Sequence, residues 1–165
     1  MIIIDGYYDT AQICLNGHCI TSLAFSSPEF KKDYCILCGA KTITTCQNCN
    51  KDILGYYHSK YAVPYTYIVP KYCHNCGKPY PWTVTAIQAA TELIALDDMF
   101  SAEETQILVD ALPDLIAETP KTQLAVAKFK KLLSAAGKFT IDGIRQFAID
   151  FGCAYAKSEL SKLGL

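Results

Sequence analysis

Four short ligand pairs, Cys14-x3-His18, Cys35-x2-Cys38, Cys46-x2-Cys49 and Cys73-x2-Cys76, succeed one another along the first half of this chain, separated by gaps of 16, 7 and 23 residues. Nothing else in the sequence limits the fold as tightly. A C-x2-C turn sets both sulfurs on one side of a tight bend with backbone N–H groups aimed at them, and two such turns complete the tetrahedron that Zn2+ prefers. Gly39 and Gly77 each come directly after a second cysteine, where a knuckle needs a residue that tolerates positive φ, and Asn50 takes that place after Cys49. Eight ligands make two closed sites. The expected ligands are Cys14, His18, Cys35, Cys38, Cys46, Cys49, Cys73 and Cys76, holding two structural zinc ions.

Other uses of these thiols have less support. Disulfides need an oxidising compartment, and no export signal is visible. Redox C-x-x-C motifs sit at a helix start in an α/β unit, which is not evident here. Iron–sulfur ligation is chemically open to the same thiolates. Three pairings stand open: sequential, nested, or a cross-brace joining first with third and second with fourth. Sequential pairing is the expectation, because the gaps of 16 and 23 residues leave room for a hairpin in each ribbon. In the first pair His18 competes with its neighbour Cys19, which alternates with Ile20 in a β-prone run as a buried small residue would. His74 reads as an exposed loop residue, His58 as a surface or hairpin residue, and Cys153 as a buried, inert thiol on the last helix.

The two halves are built differently. Eight of the nine cysteines, all three histidines and the only tryptophan lie before residue 83, and the rest of the chain carries Ala, Leu, Ile, Lys and Glu at helical spacing. The expectation is an α+β chain: a double zinc-ribbon domain over 1–82, made of short β-hairpins and knuckles, then a helical domain of about four helices over 83–165. In the first half, Tyr7 to Ile13 and Cys19 to Ser22 flank an Asn-Gly turn. Ser27-Pro28-Glu29 starts one helical turn, Thr42 to Thr45 is β-prone, and Ile53 to His58 is expected to pair with Tyr65 to Val69. In the second half, Thr83 is a plausible N-cap. Ser101 and Glu104 fit a capping box, and Pro113 ends or bends that helix. Thr119-Pro120 opens the next helix and Gly137 stops it. A last helix runs from about Asp142 to Leu163.

The segments YYDTAQICLNGHCI, CGAKTITTC, GYYH and YCHNCGKPYPWT resemble a family of small bacterial proteins, a domain of unknown function (number 2321) with zinc-ribbon knuckles. The resemblance is dense over the first half and looser over the second, around LPDLIAETPKTQLAVAKFKKLL. Met1 to Asp5 precede it. The family's first knuckle, C-x-N-G-H and then a hydrophobic residue, implies Cys14 and His18 as ligands and Cys19 as a variable neighbour. It implies zinc and the fold, and no activity, substrate or partner.

Closed four-ligand zinc is structural, since a catalytic zinc keeps an open position for water. The ligand count leaves no vacancy, and no G-x-x-x-x-G-K-[ST], G-x-S-x-G or H-E-x-x-H is present. Asp97-Asp98 and Glu103-Glu104 read as solvated helix ends. A non-enzymatic protein working through protein–protein contacts is therefore the expectation. Its aromatic surface would be Tyr56, Tyr57, Tyr61, Tyr65 and Tyr67, with Tyr80, Pro81 and Trp82 more in keeping with internal packing. A nucleic-acid-binding regulator is the first alternative, on Lys31, Lys32, Lys41, Lys51, Lys60, Lys71 and Lys78 and on tyrosines able to stack on bases. Against it, seven ligating thiolates and two divalent ions take residues 1–82 from +2 to about −1. A membrane-active or toxin-like protein acting through the helices is the second, although bundle packing accounts for the same apolar stripe. The N-terminus MIIID lacks a basic region, and no apolar run reaches the roughly 18 residues of a span. A cytoplasmic protein is the expectation.

Overall fold

The computed structural model describes residues 6–61 and 64–164. Met1 to Asp5, and with them the expectation about an export signal, lie outside that range. The chain divides into two compact units, Met1–Val84 and Thr85–Leu165. Small strand hairpins carrying the cysteine clusters come first and five helices come after them, so the chain is α+β.

In the first unit β2 (Gln12–Cys14) is the centre of a three-stranded sheet, flanked by β3 (Cys19–Thr21) and β4 (Thr42–Ile43). The Asn16-Gly17 turn closes the β2–β3 hairpin, with Gly17 at φ +90° and its N–H donating to Cys14 O. β1 (Gly6–Thr10) leaves this sheet at Ala11 and pairs antiparallel with β5 (Leu54–Ser59) instead. The hairpin expected between Ile53–His58 and Tyr65–Val69 does not form: β5 takes β1 as its partner, and residues 65–69 are not a strand. The reason is side-chain hydrogen bonding. Tyr67 donates its hydroxyl to Leu54 O at 2.7 Å, so the returning segment is held by side chains rather than by a backbone ladder. The expected single turn appears as a 3-10 helix, Pro28–Phe30.

A small core fills this unit: Ala11, Ile13, Ile53, Tyr80 and Trp82, together with the sulfurs of Cys46 and Cys73. Tyr80 and Trp82 are buried and stacked at 4.7 Å, and the indole N–H donates to Pro70 O at 2.9 Å. Asp9 is buried too. Its carboxylate accepts from the backbone N–H of Thr10 and Phe25 and from His58 Nε2 at 2.7, 2.9 and 2.9 Å, with the Ser26 N–H beside it. Burial alone would raise its pKa, yet these donors outweigh burial and hold it at about 2. His58 is thus a strand residue locked to a carboxylate, with Tyr7 stacked on its ring at 4.6 Å.

The second unit packs α2 (Ala102–Ile116), α3 (Thr122–Leu133), α4 (Lys138–Phe151) and α5 (Ala154–Leu160) around Leu108, Leu112, Leu115, Phe129, Leu133, Ile144 and Leu160. The first helix, α1 (Pro81–Ala95), crosses the division between the units. The Ser101–Glu104 capping box is complete, with both reciprocal hydrogen bonds made. Elsewhere the expected boundaries move. Thr83 lies within α1, its hydroxyl donating to Lys71 O. Pro113 sits inside α2, which runs on to Ile116 because Leu115 and Ile116 must be buried. Thr119 caps the turn before α3 rather than α3 itself, accepting from Lys121 N–H. Gly137 starts α4 instead of stopping α3, and its N–H is held by Asp97 Oδ2 at 2.9 Å. Asp97 is consequently buried, not a solvated helix end. The expected last helix is two helices, broken at Gly152-Cys153, where Cys153 N–H donates to Leu115 O. Among the described residues no helix is long and apolar enough to cross a membrane.

Candidate metal centres

Three of the four knuckles share one backbone design. In each, the first cysteine accepts an N–H from the residue four places on: Gly39 to Cys35, Asn50 to Cys46, Gly77 to Cys73. Its own N–H donates five places on, to Ala40, Lys51 and Lys78. The residue after the second cysteine is left-handed in all three, at φ 70°, 59° and 70°. Space does not dictate glycine at Gly39 or Gly77, since a Cβ there would meet nothing within 4 Å. The left-handed backbone does. Isolated bridges Tyr34–Lys41, Thr45–Asp52 and Tyr72–Pro79 close each knuckle from outside. The first knuckle differs. It is the β2–β3 turn itself, which places His18 four residues after Cys14 with its N–H on Cys14 Sγ at 3.3 Å.

These turns bring the eight expected residues into two groups: Cys14, His18, Cys35 and Cys38, and Cys46, Cys49, Cys73 and Cys76. Within each, the ligand atoms all lie within 4.8 Å of one another. That is the sequential arrangement, with His18 rather than Cys19 in the first group. Cys19 is an exposed residue outside it, His74 is exposed, and Cys153 is buried.

The spacing can be compared with a real coordination sphere. Bonds of about 2.3 Å to sulfur and about 2.05 Å to nitrogen, at the tetrahedral angle, put sulfurs about 3.8 Å apart and nitrogen about 3.6 Å from each sulfur. The observed Sγ–Sγ distances are 3.7 Å for Cys14–Cys38, Cys46–Cys76 and Cys49–Cys73. His18 Nδ1 lies 3.5 Å from Cys14 Sγ and 3.6 Å from Cys35 Sγ. A disulfide would need about 2.05 Å. Both groups fit a tetrahedral metal ion, the first through three thiolates and an imidazole Nδ1, the second through four thiolates.

Donors around the sulfurs favour the thiolate form. The Cys38 thiol is lowered to about 6, first by the Ala40 N–H and then by the Asn16 side-chain amide. Cys73 is lowered to about 6, most strongly by the Cys76 N–H, against some burial. Burial instead raises Cys14 and Cys46, which an ion would have to compensate.

An asparagine pattern that the ligand spacing alone does not announce supports these cysteines. Asn16, Asn48 and Asn75 each stand two residues after the first cysteine of a knuckle, and each reaches the partner knuckle's sulfur. Asn16 Nδ2 lies 3.4 Å from Cys38 Sγ and Asn75 Nδ2 3.6 Å from Cys49 Sγ, while the Asn48 side chain bonds Cys76. Leu37 holds that place in the fourth knuckle. It faces the pair whose second ligand is His18, a neutral nitrogen that needs no donor on its metal-binding side. The C-x-N spacing was the available signal.

The family model described as an uncharacterized protein conserved in bacteria (DUF2321) matches residues 7–159, and the chain belongs to that family. No curated protein and no solved structure matches the chain.

Proposed function

We propose that two zinc ions fill these centres and that the chain is a non-enzymatic binding scaffold of the bacterial cytoplasm, acting through protein–protein contacts. The observation that carries this reading is the knuckle Cys35–Cys38. Its two inner residues are Ile36 and Leu37, 91% and 72% exposed, where the other C-x2-C knuckles carry Gln47-Asn48 and His74-Asn75. The first centre does not need apolar tips there, and their exposure is unfavourable unless something covers them. Phe25, Phe30 and Tyr34 are exposed nearby in sequence. Zinc has a clear role in such an arrangement. A unit with so few apolar core residues gains its rigidity from ligation, at about 10–16 kcal/mol per structural ion in small zinc peptides. Four ligands per ion leave no open position for water, which supports a structural rather than catalytic ion.

The test has two parts. Mass spectrometry under native conditions should find two zinc ions per chain. Photo-crosslinking from position 34, which is exposed beside this knuckle, should then capture a defined protein set that is lost in Ile36→Asp with Leu37→Asp while both ions remain. Fewer than two ions, an unchanged capture set, or tight binding to RNA or DNA that weakens steeply with salt would each overturn this reading.

A further inference from the structure

Tyr80 lies just beyond the last knuckle and carries a problem that its packing does not solve. Its side chain is 1% exposed, stacked on Trp82 and set in the same core cluster as Cys46 and Cys73, with Cys49 and Cys76 packed against that cluster. Its hydroxyl is buried without an aligned hydrogen-bond partner. A buried, unsatisfied hydroxyl gives up its hydration with nothing in return, and phenylalanine would fill the same space without that penalty. The stacking with Trp82 therefore explains the ring and leaves the oxygen unexplained.

The surroundings of the oxygen point to its purpose. The ring shares its core cluster with Cys46 and Cys73, and of the second centre's sulfurs Cys73 is the one that acts most strongly on the hydroxyl. Toward a sulfur that carries negative charge, a tyrosine hydroxyl acts as a donor. A neutral thiol is a weak acceptor, whereas a metal-bound thiolate is a charged and much better one. Four thiolates around one divalent ion carry a net charge of about −2. They sit half in the core, where each donor counts for more than it would in water.

We propose that Tyr80 is a positioning residue of the second centre, donating its hydroxyl proton to the Cys73 thiolate when that centre holds its ion. This rests on the metal reading above. The bond draws charge from the thiolate, makes it harder to protonate and fixes its lone pairs toward the ion. It also removes the penalty of the orphaned hydroxyl, so tyrosine is favoured over phenylalanine only in the loaded protein.

The test uses the full chain with cobalt(II) in both centres. In Tyr80→Phe the sulfur-to-cobalt charge-transfer band should move to longer wavelength, because an unbonded thiolate gives up its electron more readily. Affinity at the second centre, from competition with a chelator, should fall about 10–100-fold. Tyr67→Phe is the control. It also loses a tyrosine hydroxyl in this unit, a half-buried one that donates to Leu54 O, and it should leave the band where it was. Should Tyr80→Phe not fold, the wild-type chain loaded with cadmium-113 gives the same answer: the Tyr80 hydroxyl proton should exchange slowly and show coupling to the metal nucleus. An unchanged band with unchanged affinity in Tyr80→Phe, or a rapidly exchanging uncoupled hydroxyl in the cadmium protein, overturns this inference alone. A chain that takes up no cobalt refutes the metal reading and this inference with it.

Discussion

Replacing ligands two at a time tests the pairing of the centres in a way that single substitutions do not. Any one Cys→Ser change removes one ion under every pairing. Two changes remove one ion if they fall in the same centre and two if they do not. The 3.7 Å contact between Cys14 and Cys38, and the common distance of His18 from Cys14 and Cys35, put the first two pairs together. The contacts Cys46–Cys76 and Cys49–Cys73 join the last two. Cys14→Ser with Cys35→Ser should therefore retain one zinc, and Cys35→Ser with Cys46→Ser should retain none. Nested pairing reverses both results, and a cross-brace leaves both variants empty. The margin is wide, because a complete centre is worth about 10–16 kcal/mol and a centre short of one or two ligands gives up its ion to a chelator that the complete centre resists. Native mass spectrometry after dialysis against a zinc buffer reads the stoichiometry directly. A metal-free Cys14→Ser/Cys35→Ser chain, or one ion kept in Cys35→Ser/Cys46→Ser, would refute the reasoning.

Three more outcomes are expected from the same structure. Asp9 ionises at about 2 in the fold against a usual 3.8, a depressed value, so its contribution is complete above about pH 4 and is lost as pH falls toward 2. The shift corresponds to about 2 kcal/mol; urea denaturation should find Asp9→Asn weaker by that amount near neutrality, with the gap to wild type closing below pH 4, and equal stabilities at pH 7 would contradict this. Stripping metal with a chelator should collapse the near-ultraviolet dichroism of the tyrosine-rich unit while the far-ultraviolet helical signal is kept, because among the described residues all eight grouped ligands lie before Val84; a parallel loss of both signals would argue against it. Leu112→Ala, at a fully buried site on α2, should cost the helical unit about 2–5 kcal/mol in thermal or urea unfolding without changing zinc content.

What the sequence disclosed and what it hid divide along physical lines. The knuckles were legible because a metal site restricts residue type and spacing together: few residues other than cysteine or histidine could stand at Cys46 or Cys49, and the left-handed positions at Gly39, Asn50 and Gly77 come with the same turn. The Ser101–Glu104 box was legible because both halves of it are local. The partner of β5 was not. β5 faces a choice between a nearby segment and one almost fifty residues away, and alternating tyrosines look the same in either pairing. Asp97 was misplaced because its environment depends on Gly137, forty residues on, which no local pattern reveals. Of the two expectations for Pro113, that it ends or that it bends its helix, the first fails, since the burial of Leu115 and Ile116 outweighs one missing helical hydrogen bond. The oxygen of Tyr80 was invisible for the same reason as Asp97, because only the folded knuckles bring sulfur to it.

The two centres differ in ways that set the order in which they lose their ions. The second carries one more negative charge, about −2 against about −1, but it is better protected. Cys46 and Cys73 are buried in the core cluster, Cys49 and Cys76 are half-covered, and the Asn48 and Asn75 side chains reach Cys76 and Cys49. The first centre leaves Cys38 exposed, although the Asn16 side chain reaches its sulfur. A chelator displaces an ion by attacking through an accessible ligand, so it should enter at Cys38. Release into a chromogenic chelator should be biphasic, one ion leaving at least about tenfold faster than the other, a difference of about 1.4 kcal/mol in barrier. The Cys14→Ser/Cys35→Ser chain, which keeps only the second centre, should show the slow phase alone. A single phase in the wild-type chain, or a fast phase surviving in that variant, would mean that burial of the sulfurs does not govern exchange.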